Sequence, residues 1–313
     1  MFNKYLKKIL KKFGYEIKRI KSKSNVLIKD VVINIGDFQL KVNSNNPISY
    51  WYNKYPEYNS ELKRVSEIIF KKYPGLGIID VGANVGDTLC IIKTKIPAKF
   101  ICIEGDPKIF KTLEENTSQF SDVTLFNFFM GETPEMVEVI IEKDGWNSTL
   151  IPFSGNNTRV IQIYSLDETL LGIADLPDYK FLKIDAEGYD TKILKGAINF
   201  LKQNKPVVFL EYNRDNMSRI GESGIDAIEL LKDLGFDKIL VYESMGRFIL
   251  STTLSDSKLI RQLHEYIDGK KSAIYYFDLC IFHKEDDDIA TEFIEREENF
   301  RLHGWNNQGF IQV

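Results

Sequence analysis

Three carboxylates fall at the ends of apolar runs in the second half of the chain. Asp185 and Glu187 close Phe181-Leu182-Lys183-Ile184-Asp185-Ala186-Glu187-Gly188, and Glu211 closes Val207-Val208-Phe209-Leu210-Glu211. Both runs read as buried strands, and open α/β sheets bind ligands at the carboxyl ends of their strands. Acids gathered at such an edge can take a proton from a hydroxyl as general base. They can equally hold an Mg2+-like cation that acidifies the hydroxyl, with Asp185 and Glu211 as its ligands. Capping with dipole stabilisation, worth ~0.3–1 kcal/mol, explains Glu187 alone but not three acids together. The residue types leave base and metal ligand open.

A second constellation lies upstream, in Ile78-Ile79-Asp80-Val81-Gly82-Ala83-Asn84-Val85-Gly86-Asp87-Thr88. It reads as a strand entering a glycine turn that opens a helix, a place where backbone approaches a nucleotide-like ligand closely. The dinucleotide fingerprint G-x-G-x-x-G does not fit, because Asn84 and Asp87 stand where its second and third glycines belong. Asp87 also puts negative charge where a pyrophosphate would sit. The turn therefore suits a phosphate-free, cationic ligand, and S-adenosylmethionine is one. Glu104 ends the next strand, 24 positions after Asp80, where an acid accepts ribose hydroxyls. Asp106-Pro107 behind it reads as a helix start, N-cap followed by proline at the first helical position. The segment Phe128-Phe129-Met130-Gly131-Glu132 borders the adenine in this architecture, with Met130 as its contact and Glu132 a weaker one.

The elements that must position these residues alternate as strand and helix. Strands are predicted at 77–82, 99–104, 123–129, 180–185, 206–211 and 274–283, and helices at 86–95, 107–117, 188–203 and 222–234. Such alternation predicts an α/β, Rossmann-like fold: a mostly parallel sheet with helices on both faces. Residues 131–170 break the rhythm. Val137–Ile141 and Arg159–Tyr164 read as paired strands of a β insertion before the fourth core strand. The expected organisation is an N-terminal unit over 1–74, a central domain over 75–284 and an acidic extension over 285–313. The first unit comprises a basic amphipathic helix, a β-hairpin around Gly36-Asp37 and a helical segment at 57–72 with Leu62, Val65, Ile68 and Ile69 on one face.

In this order the motifs resemble the FkbM-type methyltransferase family, which uses S-adenosylmethionine. The resemblance rests on Ile79-Asp80-Val81-Gly82-Ala83-Asn84-Val85-Gly86, Ser165-Leu166-Asp167 and Leu182-Lys183-Ile184-Asp185-Ala186-Glu187-Gly188, extended by Lys195-Gly196-Ala197 and the Glu211 strand. It covers about residues 77–215. It implies a class I methyltransferase fold and O-methylation, often of sugars in surface polysaccharides, with a sugar or glycan precursor as acceptor. By that likeness Asp80, Gly82, Asn84, Gly86, Thr88 and Glu104 bind the cofactor. Phe129-Met130-Gly131 departs from the small, alanine-containing turn of the family. In the insertion, Trp146 stands beside the acceptor by the same likeness; stacking on a sugar ring and anchoring the insertion are both open to it.

Composition bounds the rest. The chain has 313 residues and 43% hydrophobic content, ordinary for a soluble protein. Cys90, Cys102 and Cys280 are scattered in apolar settings, which predicts buried thiols in a reducing compartment. His264, His283 and His303 show no zinc spacing. With no signal-peptide core and no spanning run, the reading is cytoplasmic. Residues 1–23 carry +8 and the remainder −12. The first segment is a candidate for peripheral contact with the inner face of a membrane, or for packing on the protein's own body. The acidic body disfavours nucleic acid. The run Glu285-Asp286-Asp287-Asp288 with Glu292, Glu295, Glu297 and Glu298 reads as a solvated helix face or a partner for the basic arm. Two rival functions stay in view: a non-catalytic scaffold in a glycan assembly, and an NAD-dependent sugar-modifying enzyme.

Overall fold

The computed structural model describes residues 30–44, 46–55, 57–144, 147–152, 158–268 and 273–303. The basic segment 1–23 and Trp146 lie outside them.

Five strands form a parallel core: β3 (Gly77–Val81), β4 (Lys99–Ile103), β5 (Val123–Phe126), β10 (Tyr179–Ile184) and β11 (Val207–Tyr212). Strands β12 (Phe236–Glu243), β13 (Arg247–Thr253) and β14 (Phe277–His283) extend it to an eight-stranded sheet in the order β13-β12-β14-β11-β10-β3-β4-β5. Strand β14 runs antiparallel between β11 and β12. Every residue of β3 and β11 is buried, as the continuous apolar runs require for strands covered on both faces.

Alternation along these strands feeds two cores. Ile79, Val81, Leu182, Ile184, Val208 and Leu210 join one of them. It is closed by helices α5 (Leu166–Thr169), α6 (Asp190–Lys195), α7 (Ile198–Asn204), α8 (Arg214–Arg219), α9 (Gly224–Asp233) and α10 (Ser257–Tyr266). Ile78, Phe100, Phe181, Val207 and Phe209 join the other. Its cover is α2 (Ser60–Lys72), α3 (Asp87–Lys93), α4 (Pro107–Thr117) and α11 (Asp287–His303). Leu62, Val65, Ile68 and Ile69 of α2 are all buried there, as their spacing predicts. Before α2 come the hairpin β1 (Asp30–Ile35) and β2 (Phe38–Asn43) and the short helix α1 (Ile48–Lys54).

The insertion forms its own four-stranded sheet from β6 (Phe129–Met130), β7 (Glu135–Asp144), β8 (Asn147–Pro152) and β9 (Arg159–Tyr164), in the order β6-β9-β7-β8. Val137 pairs with Ile161 as the two predicted strands require.

The structure corrects three expectations and adds elements the sequence did not indicate. The helix read over 188–203 breaks at Gly196-Ala197, because Gly196 sits against the Gly131 carbonyl, where an added Cβ would lie 2.2 Å away. The strand read over 123–129 is two strands, β5 and β6, in different sheets. The hairpin β12–β13 and helix α10 were not foreseen. The acidic run is not simply a solvated face: Glu297 of α11 is fully buried and pairs with Arg64 of α2 at 2.5 Å. Lys71 meets Glu292 at 2.9 Å and Lys72 meets Asp288 at 2.6 Å, so α2 is a basic partner of α11. Among the described residues no helix is long and apolar enough to cross a membrane, and all three cysteines are free and buried.

Candidate active site

The carboxyl ends of β3, β4, β10 and β11 open into one cavity of about 640 Å3. The glycine turn forms its floor. Gly82 has φ 80°, and a Cβ there would fall 1.8 Å from the Asp185 carbonyl oxygen, so only glycine lets β3 and β10 approach this closely. The Gly82 and Ala83 amides donate to Ile103, which ties the turn to β4. Asn84 follows at φ 47°, a conformation asparagine tolerates better than most residues. Its Oδ1 is buried without a partner.

Glu104 faces this turn. Its two oxygens accept the amides of Asn84 (3.0 Å) and Asp106 (2.8 Å), each retaining lone-pair capacity. Burial raises its carboxyl to about 7, against the pull of those two amides. Asp106 caps α4 through the Lys108 amide at 2.8 Å, with Pro107 behind it, as the sequence indicates. Ile103, Ile109, Phe128, Phe129 and Met130 supply a flat apolar wall beside Glu104. Gly105 lies under the Phe129 ring, 2.2 Å from where its Cβ would be. Glu132 is not part of the lining.

Asp87 and Thr88 of α3 also line the cavity. Asp87 accepts the Tyr52 hydroxyl at 3.1 Å, and burial raises it to about 6 although Lys183 pulls the other way. Two residues assigned to the cofactor do not reach the lining. Gly86 has φ 89°, the left-handed N-cap position of α3, and its Cα faces Leu113 of α4. Asp80 is fully buried and meets Lys183 at 3.2 Å, because the β3–β10 register sets those two residues opposite each other. Burial pushes Asp80 up while Lys183 opposes it. Its contact with the cavity therefore runs through Lys183, which also reaches Asp185 at 3.3 Å.

Asp185, Glu187 and Glu211 do converge, each offering an oxygen within 4.8 Å of the others. Asp185 is exposed and Glu211 is 9% exposed. Glu187 holds φ 52°, and its carboxylate accepts Asn216 Nδ2 at 2.9 Å. Asp190, fully buried, fixes the intervening loop by accepting the amides of Ala186 (3.2 Å) and Gly188 (2.9 Å). Burial, reinforced by Asp185, raises Asp190 to about 7. Glu211 is pushed well above the usual carboxylate range, first by burial and then by Asp185, Glu187, Asp190 and Asp278.

Sequence reasoning missed several lining residues. Lys183 was visible as a cation inside an apolar strand, and Asp278 as an acid in Tyr276-Phe277-Asp278-Leu279-Cys280; nothing local marks Glu61. Burial raises Glu61 to about 7 even though Arg64 lowers it. Trp51, Tyr58, Tyr275 and Tyr276 add aromatic surface, and Thr149 and Leu150 bring β8 of the insertion to the rim.

A mostly parallel sheet with helices on both faces, a glycine cradle and an acid at the second strand end define a Rossmann-like, class I methyltransferase architecture. The Methyltransferase FkbM domain matches residues 80–238, and the chain belongs to that methyltransferase family. It is 28% identical over 131 residues to the hexuronic acid methyltransferase AglP of Haloferax volcanii, covering 39% of this chain and 50% of that protein. The chain thus matches about half the length of this curated relative. Among solved structures it is similar to methyltransferase FkbM of Methylobacillus flagellatus KT (19% identity, 57% of this chain, 43% of that chain, TM-score 0.39). It is also similar to the N-methyltransferase NodS of Bradyrhizobium japonicum WM9 (10% identity, 74% and 98%, TM-score 0.41).

Proposed function

We propose that the chain is an S-adenosylmethionine-dependent O-methyltransferase whose acceptor is a sugar hydroxyl in a glycan or glycan precursor. The observation that carries this reading is the junction of the Gly82 cradle with Glu104. A backbone that only glycine can supply faces a carboxylate with lone pairs left for ribose hydroxyls, and a buried Asn84 Oδ1 awaits a donor. The residues present therefore fit this cofactor. Phe128, Phe129 and Met130 would flank the adenine, and Asp87, with Thr88, is suited to a cationic amino-acid end. The sugar reading draws on the hexuronic acid methyltransferase relative and on the aromatic surface of Trp51, Tyr58, Tyr275 and Tyr276, whose rings combine apolar faces with polar edges.

When bound, the cofactor supplies a methyl group on sulfonium that is already electrophilic. The chain's own residues hold the acceptor and manage its proton. Alignment within such a cavity contributes ~7–11 kcal/mol in favourable systems. A carboxylate placed to receive the hydroxyl proton typically adds about 10²–10⁴-fold. Asp185, Glu187 and Glu211 are the acids we assign to that task, with Lys183 orienting Asp185.

Asp185→Ala and Glu211→Ala should each leave S-adenosylmethionine affinity within about threefold in calorimetry. Transfer of labelled methyl to cell-surface glycan extracts should fall by roughly 10²-fold or more in at least one of them. Undiminished transfer in both variants removes the acids from the mechanism. Comparing intact masses of glycans from cells with and without the protein tests the acceptor class, since the reading requires a difference of one methyl group.

A further inference from the structure

Among the described residues, carboxyl groups far outnumber cations around this cavity. Glu61, Asp87, Glu104, Asp185, Glu187, Glu211 and Asp278 all line it. Among the described residues the cations there are Lys183, already facing Asp80 across the β3–β10 register, and Arg219, which pairs with Glu142. The excess is concentrated at one place. Glu211 and Asp278 stand directly opposite each other on β11 and β14, a cross-strand pair of acids whose ionised forms repel unless a cation lies beside them.

Two further features concern Glu211 itself. It is only 9% exposed, and its Oε2 has no hydrogen-bond partner, while Asn213 Nδ2 lies at 3.5 Å from Oε1. A buried carboxylate oxygen left unpaired is costly, so the chain keeps it aimed into the cavity against its own stability. The oxygens of Asp185, Glu187 and Glu211 are also near enough for a small movement of the exposed Asp185 side chain to bring them to the spacing an ion needs. All lie within 4.8 Å of one another, and oxygens around Mg2+ or Mn2+ at about 2.1 Å are roughly 3.0–4.2 Å apart. The scaffolding is rigid on each side: Asp190 pins the Ala186–Gly188 loop, and Asn216 holds Glu187.

We propose that Asp185, Glu187 and Glu211 form a binding site for one hard divalent cation of the Mg2+/Mn2+ class, with the remaining positions open to water and to hydroxyl oxygens of the acceptor. The catalytic use of such an ion rests on the methyl-transfer reading above; its binding does not. The ion would supply the missing partner of Glu211 and, by polarising an acceptor hydroxyl, would make its proton easier to lose.

The full chain is titrated with Mn2+ while the paramagnetic resonance signal of the free ion is followed, and S-adenosylmethionine affinity is measured on the same samples. The expected result is one tight site per chain that Mg2+ displaces. Glu211→Gln and Asp185→Asn should each weaken it at least tenfold, whereas Glu132→Gln, outside the cavity, should not. Absence of a stoichiometric site in the wild-type chain, or equal binding by both variants when folded by circular dichroism, overturns the proposal. If Glu211→Gln fails to fold, Asp185→Asn, at an exposed position, decides alone. Cofactor binding without Mn2+ binding overturns the metal site and leaves the methyltransferase reading intact; Mn2+ binding without cofactor binding does the reverse.

Discussion

Gly82 shows how much one missing methyl can decide. A Cβ there would meet the Asp185 carbonyl at 1.8 Å, and its φ of 80° lies where other residues are strained. Gly82→Ala should therefore destabilise the fold by roughly 1–2 kcal/mol or more from backbone strain alone. It should also weaken S-adenosylmethionine binding at least tenfold, read by calorimetry alongside a thermal melt. Unchanged affinity in a folded variant would separate the cradle from the cofactor. The places of Gly82 and Glu104 at the cavity were legible in the sequence, because residue type at a strand end marks them. Asp80 and Gly86 belong to the same motif but stand behind the cavity lining. Register alone decides that Asp80 faces Lys183, and helix packing alone decides that Gly86 faces Leu113. Neither fact is local to the motif.

Among the elements, α2 and α11 are joined by a buried ion pair. Arg64 is 5% exposed and Glu297 fully buried, and two contacts of 2.5 and 2.7 Å join the guanidinium to the carboxylate. Arg64 also donates to Ser60 Oγ and lies over the Phe300 ring. Removing one partner of such a buried pair strands the other, at a cost of about 3–5 kcal/mol. Glu297→Ala should lose stability on that scale in urea unfolding. The double replacement Arg64→Met with Glu297→Leu should recover most of the loss, and no recovery would argue against the stranded-charge account. The parallel strands and the insertion were readable from alternation and apolar runs. The β12–β13 hairpin, α10 and the α2–α11 contact were not. Their sequences are mixed in polarity, and what orders them is contact with elements far away along the chain.

For the molecule as a whole, the acid-lined cavity makes stability depend on pH with an unusual sign. Burial raises Glu61 and Glu104 from 4.5 to about 7, Asp190 from 3.8 to about 7 and Asp87 from 3.8 to about 6. Between those values the folded chain holds protons that the unfolded chain has released. These groups therefore lower stability as pH rises from about 4 to about 7. His264 and His283, lowered by burial, act in the opposite direction near 6.5. Comparison of variants isolates one group. The stability of Glu61→Gln relative to wild type should grow as pH rises from about 5 to about 8, and a flat difference would contradict the shift at Glu61. The buried ion pair has a further consequence, in time rather than in energy. Arg64 and Glu297 are 233 residues apart. At ~5–20 residues per second, a ribosome needs on the order of ten to fifty seconds to supply the second after the first. Through that interval the buried face of α2, with Leu62, Val65, Ile68 and Ile69, waits without its last cover. The wall that carries Glu61 is therefore expected to be among the last parts of the cavity to set during synthesis.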